Sequence, residues 1–142
     1  MATEVFIDAN VLIDYLTDRE PFATDARDIV KLSEEAHVKI FTTVSIILIC
    51  LYFGRKAVGI QKTKIVLQQL LPLLHILETS KDDINRALIS SANDHEDAIQ
   101  YFTALSDKRI KFFITRNPKD FKSIQNPQLS VLSPHAFLDL LK

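Results

Sequence analysis

The stretch Val5-Phe6-Ile7-Asp8-Ala9-Asn10-Val11-Leu12-Ile13-Asp14 restricts this chain more than any other. A short, unbroken apolar run reads as a buried strand, of the kind found in a parallel sheet covered on both faces. The run stops abruptly at Asp8, and Val11, Leu12, Tyr15 and Leu16 then recur at helical spacing. Asp8 therefore stands at the carboxyl end of a first strand and at the start of a helix. In open α/β sheets, ligands collect in the crevice outside the carboxyl ends of the strands. Asp is also a preferred helix N-cap, so Asp8 has a structural explanation as well as a functional one.

The pattern repeats along the chain. Pro21 suits the first turn of a second helix that runs to about Ala36. Val38 to Phe41 reads as a second strand, and Thr43 or Ser45 as the cap of a largely apolar helix from Val44 to Ala57. The simplest account of that apolar helix is core. Ile60 to Leu71 predicts a further helix stopped near Pro72, and Leu73 to Leu77 a third strand. Two helices follow, from Lys81 to about Ser91 and from near Asp94 through Leu105. Lys111 to Thr115 is the clearest later strand, Pro118 to Phe121 a turn or one helical turn, and Leu129 to Leu132 a weak last strand. Ser133-Pro134 caps and opens the final helix. Strands separated by helices imply right-handed crossovers and a mainly parallel sheet. A length of 142 residues without repeat or linker predicts a single domain over 1–142.

Composition narrows the chemistry. A net charge of −1 argues against a dedicated DNA-binding module, but not against a nuclease, whose own site is acidic. Two glycines cannot build a Gly-rich phosphate loop. Cys50 is the only cysteine, so no intrachain disulfide forms and a cytoplasmic setting is expected. The longest apolar run, Val44 to Phe53 broken only by Ser45, is far below the ~20 residues that span a bilayer, so no membrane is expected.

Two further polar clusters are placed to meet Asp8. In Asn93-Asp94-His95-Glu96-Asp97, Asp94 and Asp97 are three apart and share a helix face. An acidic helix start accounts for Asp94 and Glu96. It accounts less well for Asp97, which borders the apolar run Ala98, Ile99, Tyr101 and Phe102 and so needs a partner or a metal. His95 reads as a surface residue, and without a second histidine at ligand spacing zinc is not expected. Thr115-Arg116-Asn117-Pro118-Lys119-Asp120 directly follows a strand, as Asp8 does. Oxygen donors without thiolate or imidazole suit Mg²⁺ or Mn²⁺, which can activate water and neutralise charge on a phosphodiester. Arg116, Lys119, Arg55 and Lys56 are candidate phosphate contacts, and Asp14 reads as a solvated helix position. A phosphoaspartate receiver would want a second acid beside Asp8, where this chain has Ala9 and Asn10.

These three motifs, Phe6 to Asp14, Asp94 to Ala98 and Ile114 to Phe121, resemble in order and spacing those of PIN domains, the fold of many metal-dependent ribonucleases and of VapC-like toxins. The resemblance implies a three-layer α/β/α fold with a central, mostly parallel sheet of about five strands. It matches Asp8 and Asp97 to metal-binding acids, and Asn117 or Asp120 to the polar end of the site. Asn10 and Thr115 match supporting positions, with Asp94 an additional acid. It implies a Mg²⁺- or Mn²⁺-dependent endoribonuclease, an RNA substrate, an antitoxin partner and a homodimer. One departure stands out: the pattern's Glu after the second strand is absent, and Ile49 or Cys50 occupies its place. The alternative this raises is a catalytically degenerate module that binds RNA or a protein without cleavage.

Overall fold

The computed structural model describes residues 1–142. Its sheet has five strands, all parallel, in the order β3-β2-β1-β4-β5. They are β1 (Thr3–Ile7), β2 (Val38–Thr43), β3 (Leu74–Leu77), β4 (Phe112–Ile114) and β5 (Ser130–Leu132). Seven helices complete a three-layer α/β/α arrangement: α1 (Ala9–Thr17), α2 (Phe22–Glu34), α3 (Val44–Val58), α4 (Ile60–Leu70), α5 (Lys81–Ile89), α6 (His95–Leu105) and α7 (Pro134–Leu140).

The strand order explains where a site can form. From β1 the chain adds β2 and β3 on one side, then returns to add β4 and β5 on the other. The reversal lies between β1 and β4, whose connections depart in opposite directions and leave a crevice at their carboxyl ends. Ile7 is in register with Ile114, so Asp8 and Thr115 leave the sheet side by side. The Asp8 amide extends the ladder by one bond, donating to the Ile114 carbonyl at 2.9 Å.

Val5, Phe6 and Ile7 are buried, as a central parallel strand requires. The Phe6 and Phe113 rings stack at 5.0 Å, and Phe121 closes on Phe113 at 4.9 Å. Tyr101 of α6 is fully buried in the same core, and its hydroxyl bonds to the Leu129 carbonyl and the Asn126 amide, both at 2.8 Å. The core therefore holds the middle of α6 to the loop before β5.

Helix α3 corrects an expectation. Ile46, Cys50 and Gly54 face inward at four-residue spacing, but Val44, Leu48, Tyr52 and Phe53 are each at least half exposed. The helix is thus amphipathic with an apolar outer face, not core all round. Gly54 is required by the packing: a Cβ there would lie 2.6 Å from the Leu16 Cδ2 and 2.6 Å from the Thr63 Oγ1. Its absence lets α1, α3 and α4 meet closely.

Candidate active site

Asp8 does both jobs that its position suggested. It is the N-cap of α1, with Oδ1 accepting the Ala9 amide at 2.8 Å. Its other oxygen, Oδ2, accepts the Thr115 hydroxyl at 3.0 Å. One donor on each oxygen fixes the plane of the carboxylate and leaves further acceptor capacity on both. Burial raises the Asp8 pKa against the pull of these two bonds, and the field of Asp94 raises it further.

Thr115 is itself held from two sides, by the Asn10 side-chain amide at 3.1 Å and the Asn117 backbone amide at 3.3 Å. Asn10 in turn accepts the Arg116 backbone N–H at 3.1 Å. Both supporting positions therefore act on Asp8 through one chain of bonds between α1 and the exit of β4.

Asp14 and Arg116 belong to this chain of bonds, and here the structure departs from expectation. Asp14 is 2% exposed and not solvated. Its two oxygens take the Arg116 Nε and Nη2, each at 3.0 Å, and the guanidinium lies 4.6 Å from the centre of the Phe22 ring. Burial raises the Asp14 pKa, with Arg116 opposing. A guanidinium engaged bidentately and stacked on an aromatic ring is committed to structure, so Arg116 is not a free phosphate contact. Asn10 and Asp14 are four apart, and the helix face they share meets the exit of β4.

On the other side of the crevice, Asp94 caps α6 by accepting the Asp97 amide at 3.0 Å. The half-buried Asp97 carboxyl is pushed up to about 7, first by burial, then by Asp8, Asp94, Asp120 and Glu96. The field at Asp97 thus reports the convergence of acids from β1, α6 and the one-turn helix Pro118–Phe121. Asn117 and Asp120 are both exposed at the mouth, as is Lys119. Gln100, one turn beyond Asp97 and unnoticed in the sequence, bonds to the Thr43 hydroxyl at 2.7 Å and to the Ser45 hydroxyl at 2.6 Å. It ties α6 to the start of α3. Arg55 and Lys56 are exposed near the far end of α3, beside Gly54 and hence beside Leu16 at the end of α1.

The position that lacks Glu is also resolved. Cys50 is fully buried and its thiol is pushed up to about 12, by burial and then by the Asp8 carboxylate. Cys50, not the half-buried Ile49, is the α3 residue that faces Asp8. A neutral thiol there supplies no charge to a hard cation.

No three His, Cys, Asp or Glu side chains lie close enough together to form a metal cage. The donor set instead fits a hard cation held by two carboxylates, Asp8 and Asp97, with water and phosphate completing its shell, as Mg²⁺ commonly is. The unpaired, half-buried Asp97 carboxyl among other acids is the feature that favours a cation.

No curated protein gives a match. Three solved structures are similar: a toxin–antitoxin complex from Klebsiella pneumoniae, VapBC2 from Rickettsia felis bound to a promoter DNA fragment, and DNA-bound VapBC from Salmonella typhimurium. The Klebsiella chain is 26% identical with a TM-score of 0.64, over 92% of this chain and 97% of that one. The Rickettsia chain is 14% identical (TM-score 0.66; 92% and 98% covered), and the Salmonella chain 15% identical (TM-score 0.67; 94% and 99% covered). A PIN domain family model matches residues 4–119, and on that match the chain belongs to the PIN domain family.

Proposed function

We propose that this protein is the toxin of a toxin–antitoxin pair and a Mg²⁺- or Mn²⁺-dependent endoribonuclease. The observation that carries this reading is the convergence of Asp8, Asp94, Asp97 and Asp120 at the carboxyl edge of the sheet, where burial first and then the neighbouring acids push the Asp97 pKa up to about 7. Asp8 and Asp97 would hold the ion, which supplies charge neutralisation and an activated water for attack on a phosphodiester. Thr115 and Asn10 orient Asp8, while Asp94 positions Asp97 through its backbone amide. Asn117 and Asp120 stand at the mouth to orient water or the leaving end of the substrate. Lys119 is an exposed cation on the same turn. In titration calorimetry the wild type should bind Mn²⁺ and the Asp8→Asn/Asp97→Asn variant should not. Metal-dependent RNA cleavage should disappear with it, and cleavage that survives Asp8→Asn would refute the assignment.

The buried Cys50 favours a second reading, a PIN module that binds RNA or protein without turnover. A folded wild type that takes up no Mn²⁺ at millimolar concentration would decide for it. Toxin–antitoxin complexes among the similar structures support an antitoxin partner. The groove between α3, β3 and α5, lined by Val44, Ile76, Leu77, Ile84 and Ile99, is the apolar surface for it or for a second copy.

A further inference from the structure

Between Glu35 and Glu78 the chain has no acidic residue, yet it carries Lys39, Arg55, Lys56, Lys62 and Lys64. The remainder of the chain holds twelve Lys and Arg against eighteen Asp and Glu. A net charge of −1 thus hides a strong asymmetry. Most of the acid-free stretch is the pair α3 and α4, which turns at Gly59, a residue with φ of 88°.

Only one of the four cations of this arm is paired with a carboxylate, and the Lys56 ammonium donates to the Tyr52 hydroxyl at 2.7 Å. Lys62 is paired with Asp18 at 3.1 Å, whereas Arg55, Lys56 and Lys64 are exposed and have no carboxylate within ion-pair distance. Tyr52 and Phe53 are 54% and 50% exposed, with ring centroids 5.2 Å apart, and the Lys56 ammonium lies 4.3 Å from the Tyr52 ring centre. Aromatic rings set among unpaired cations make a stacking and phosphate-binding surface.

The cleft needs such a surface. Asp8, Asp94, Asp97, Asp120 and Glu96 repel a polyanion, and two carboxylate-bound charges of a divalent ion offset only part of that. Arg116 is held by Asp14 and Arg109 by Asp107. Arg55 and Lys56 lie five and six residues beyond Cys50, which faces Asp8, or about 8–9 Å along the helix. They sit on the exposed side of the helix, where a strand leaving the cleft along α3 would meet them. We infer that the α3–α4 arm is a docking surface for single-stranded RNA, with Arg55, Lys56 and Lys64 on phosphates and Tyr52 and Phe53 stacked on bases. This rests on reading the cleft as an RNA-cleaving site. At the other end of α3, Val44 lines the separate apolar groove.

The test is fluorescence anisotropy with a labelled, unstructured 20-nucleotide RNA, in Mg²⁺, at several salt concentrations. Arg55→Glu/Lys56→Glu should bind at least tenfold more weakly, and the slope of log affinity against log salt should fall by about 1.4, for two phosphate contacts on a single strand. Tyr52→Ala, which leaves charge untouched, should weaken binding about tenfold without changing the slope. Mn²⁺ binding should be the same in all three proteins. Equal RNA affinity and slope in wild type and double variant overturn the docking surface and leave the arm to an acidic protein partner. Absence of RNA binding by wild type at low salt overturns it too. Arm-dependent binding without cleavage sinks the nuclease reading alone, and cleavage with arm-independent affinity sinks the docking surface alone.

Discussion

Replacing Arg116 by Met tests the reading of the site's framework most sharply. The substitution keeps much of the side chain's length and leaves Asp14, 2% exposed, without its partner. A buried carboxylate stripped of its cation costs about 3–5 kcal/mol. Protonation sets a ceiling: neutralising a carboxyl of ordinary pKa near 3.8 costs about 4 kcal/mol at pH 7, at 1.36 kcal/mol per unit. Arg116 is 23% exposed, so water replaces part of what is lost, and the expected destabilisation is about 3 kcal/mol. For a chain of this size that is a fall in Tm on the order of 10 °C. The sign of the pH dependence follows from linkage. In the variant, the folded-state pKa of Asp14 rises further above its unfolded value, so the folded state holds more protons between the two. The deficit should therefore shrink as pH falls from 7 towards 4, by up to about 1.4 kcal/mol per unit. Urea unfolding followed by circular dichroism at pH 7.5, 6 and 5 measures it. Asp14→Leu/Arg116→Met, which removes both charges, should recover most of the loss. A deficit below about 1 kcal/mol that does not vary with pH would refute the buried-pair account.

Asp97→Asn should raise stability at pH 7.5. The folded pKa of about 7 lies above the ordinary 3.8, so wild-type stability falls as pH rises through that window. After discounting for solvent screening the gain is about 1–2 kcal/mol, and it should vanish near pH 4. Gly54→Ala forces a Cβ to 2.6 Å from Leu16 and Thr63 and should cost about 1–3 kcal/mol in thermal unfolding. Tyr101→Phe leaves the Leu129 carbonyl and the Asn126 amide without their buried partner, an expected loss of about 1–3 kcal/mol with no change in Mn²⁺ affinity.

The pattern of local signals made much of the fold readable. The unbroken run at Val5 to Ile7, the helical spacing after Asp8 and the Ser133-Pro134 start each appear where local physics puts them. The pairing of Asp8 with Thr115 was legible because both follow buried strands, and β1 and β4 are neighbours in register. Asp14 and Arg116 were misread for one shared reason. Each is a charged residue whose partner lies 102 positions away, and local pattern cannot distinguish a solvated charge from a buried, paired one. Helix α3 was misread because nearly continuous apolar residues look the same whether covered or exposed.

The sequence alone determined the alternation of strand and helix, the parallel sheet and the carboxylates placed at strand ends, because periodicity and capping act over a few residues. Tertiary structure decided which acids share a field, that Cys50 and not Ile49 faces Asp8, and that Arg116 is spent on Asp14. These depend on strand order and on which helix face is covered, and those are set by packing between segments far apart in the chain.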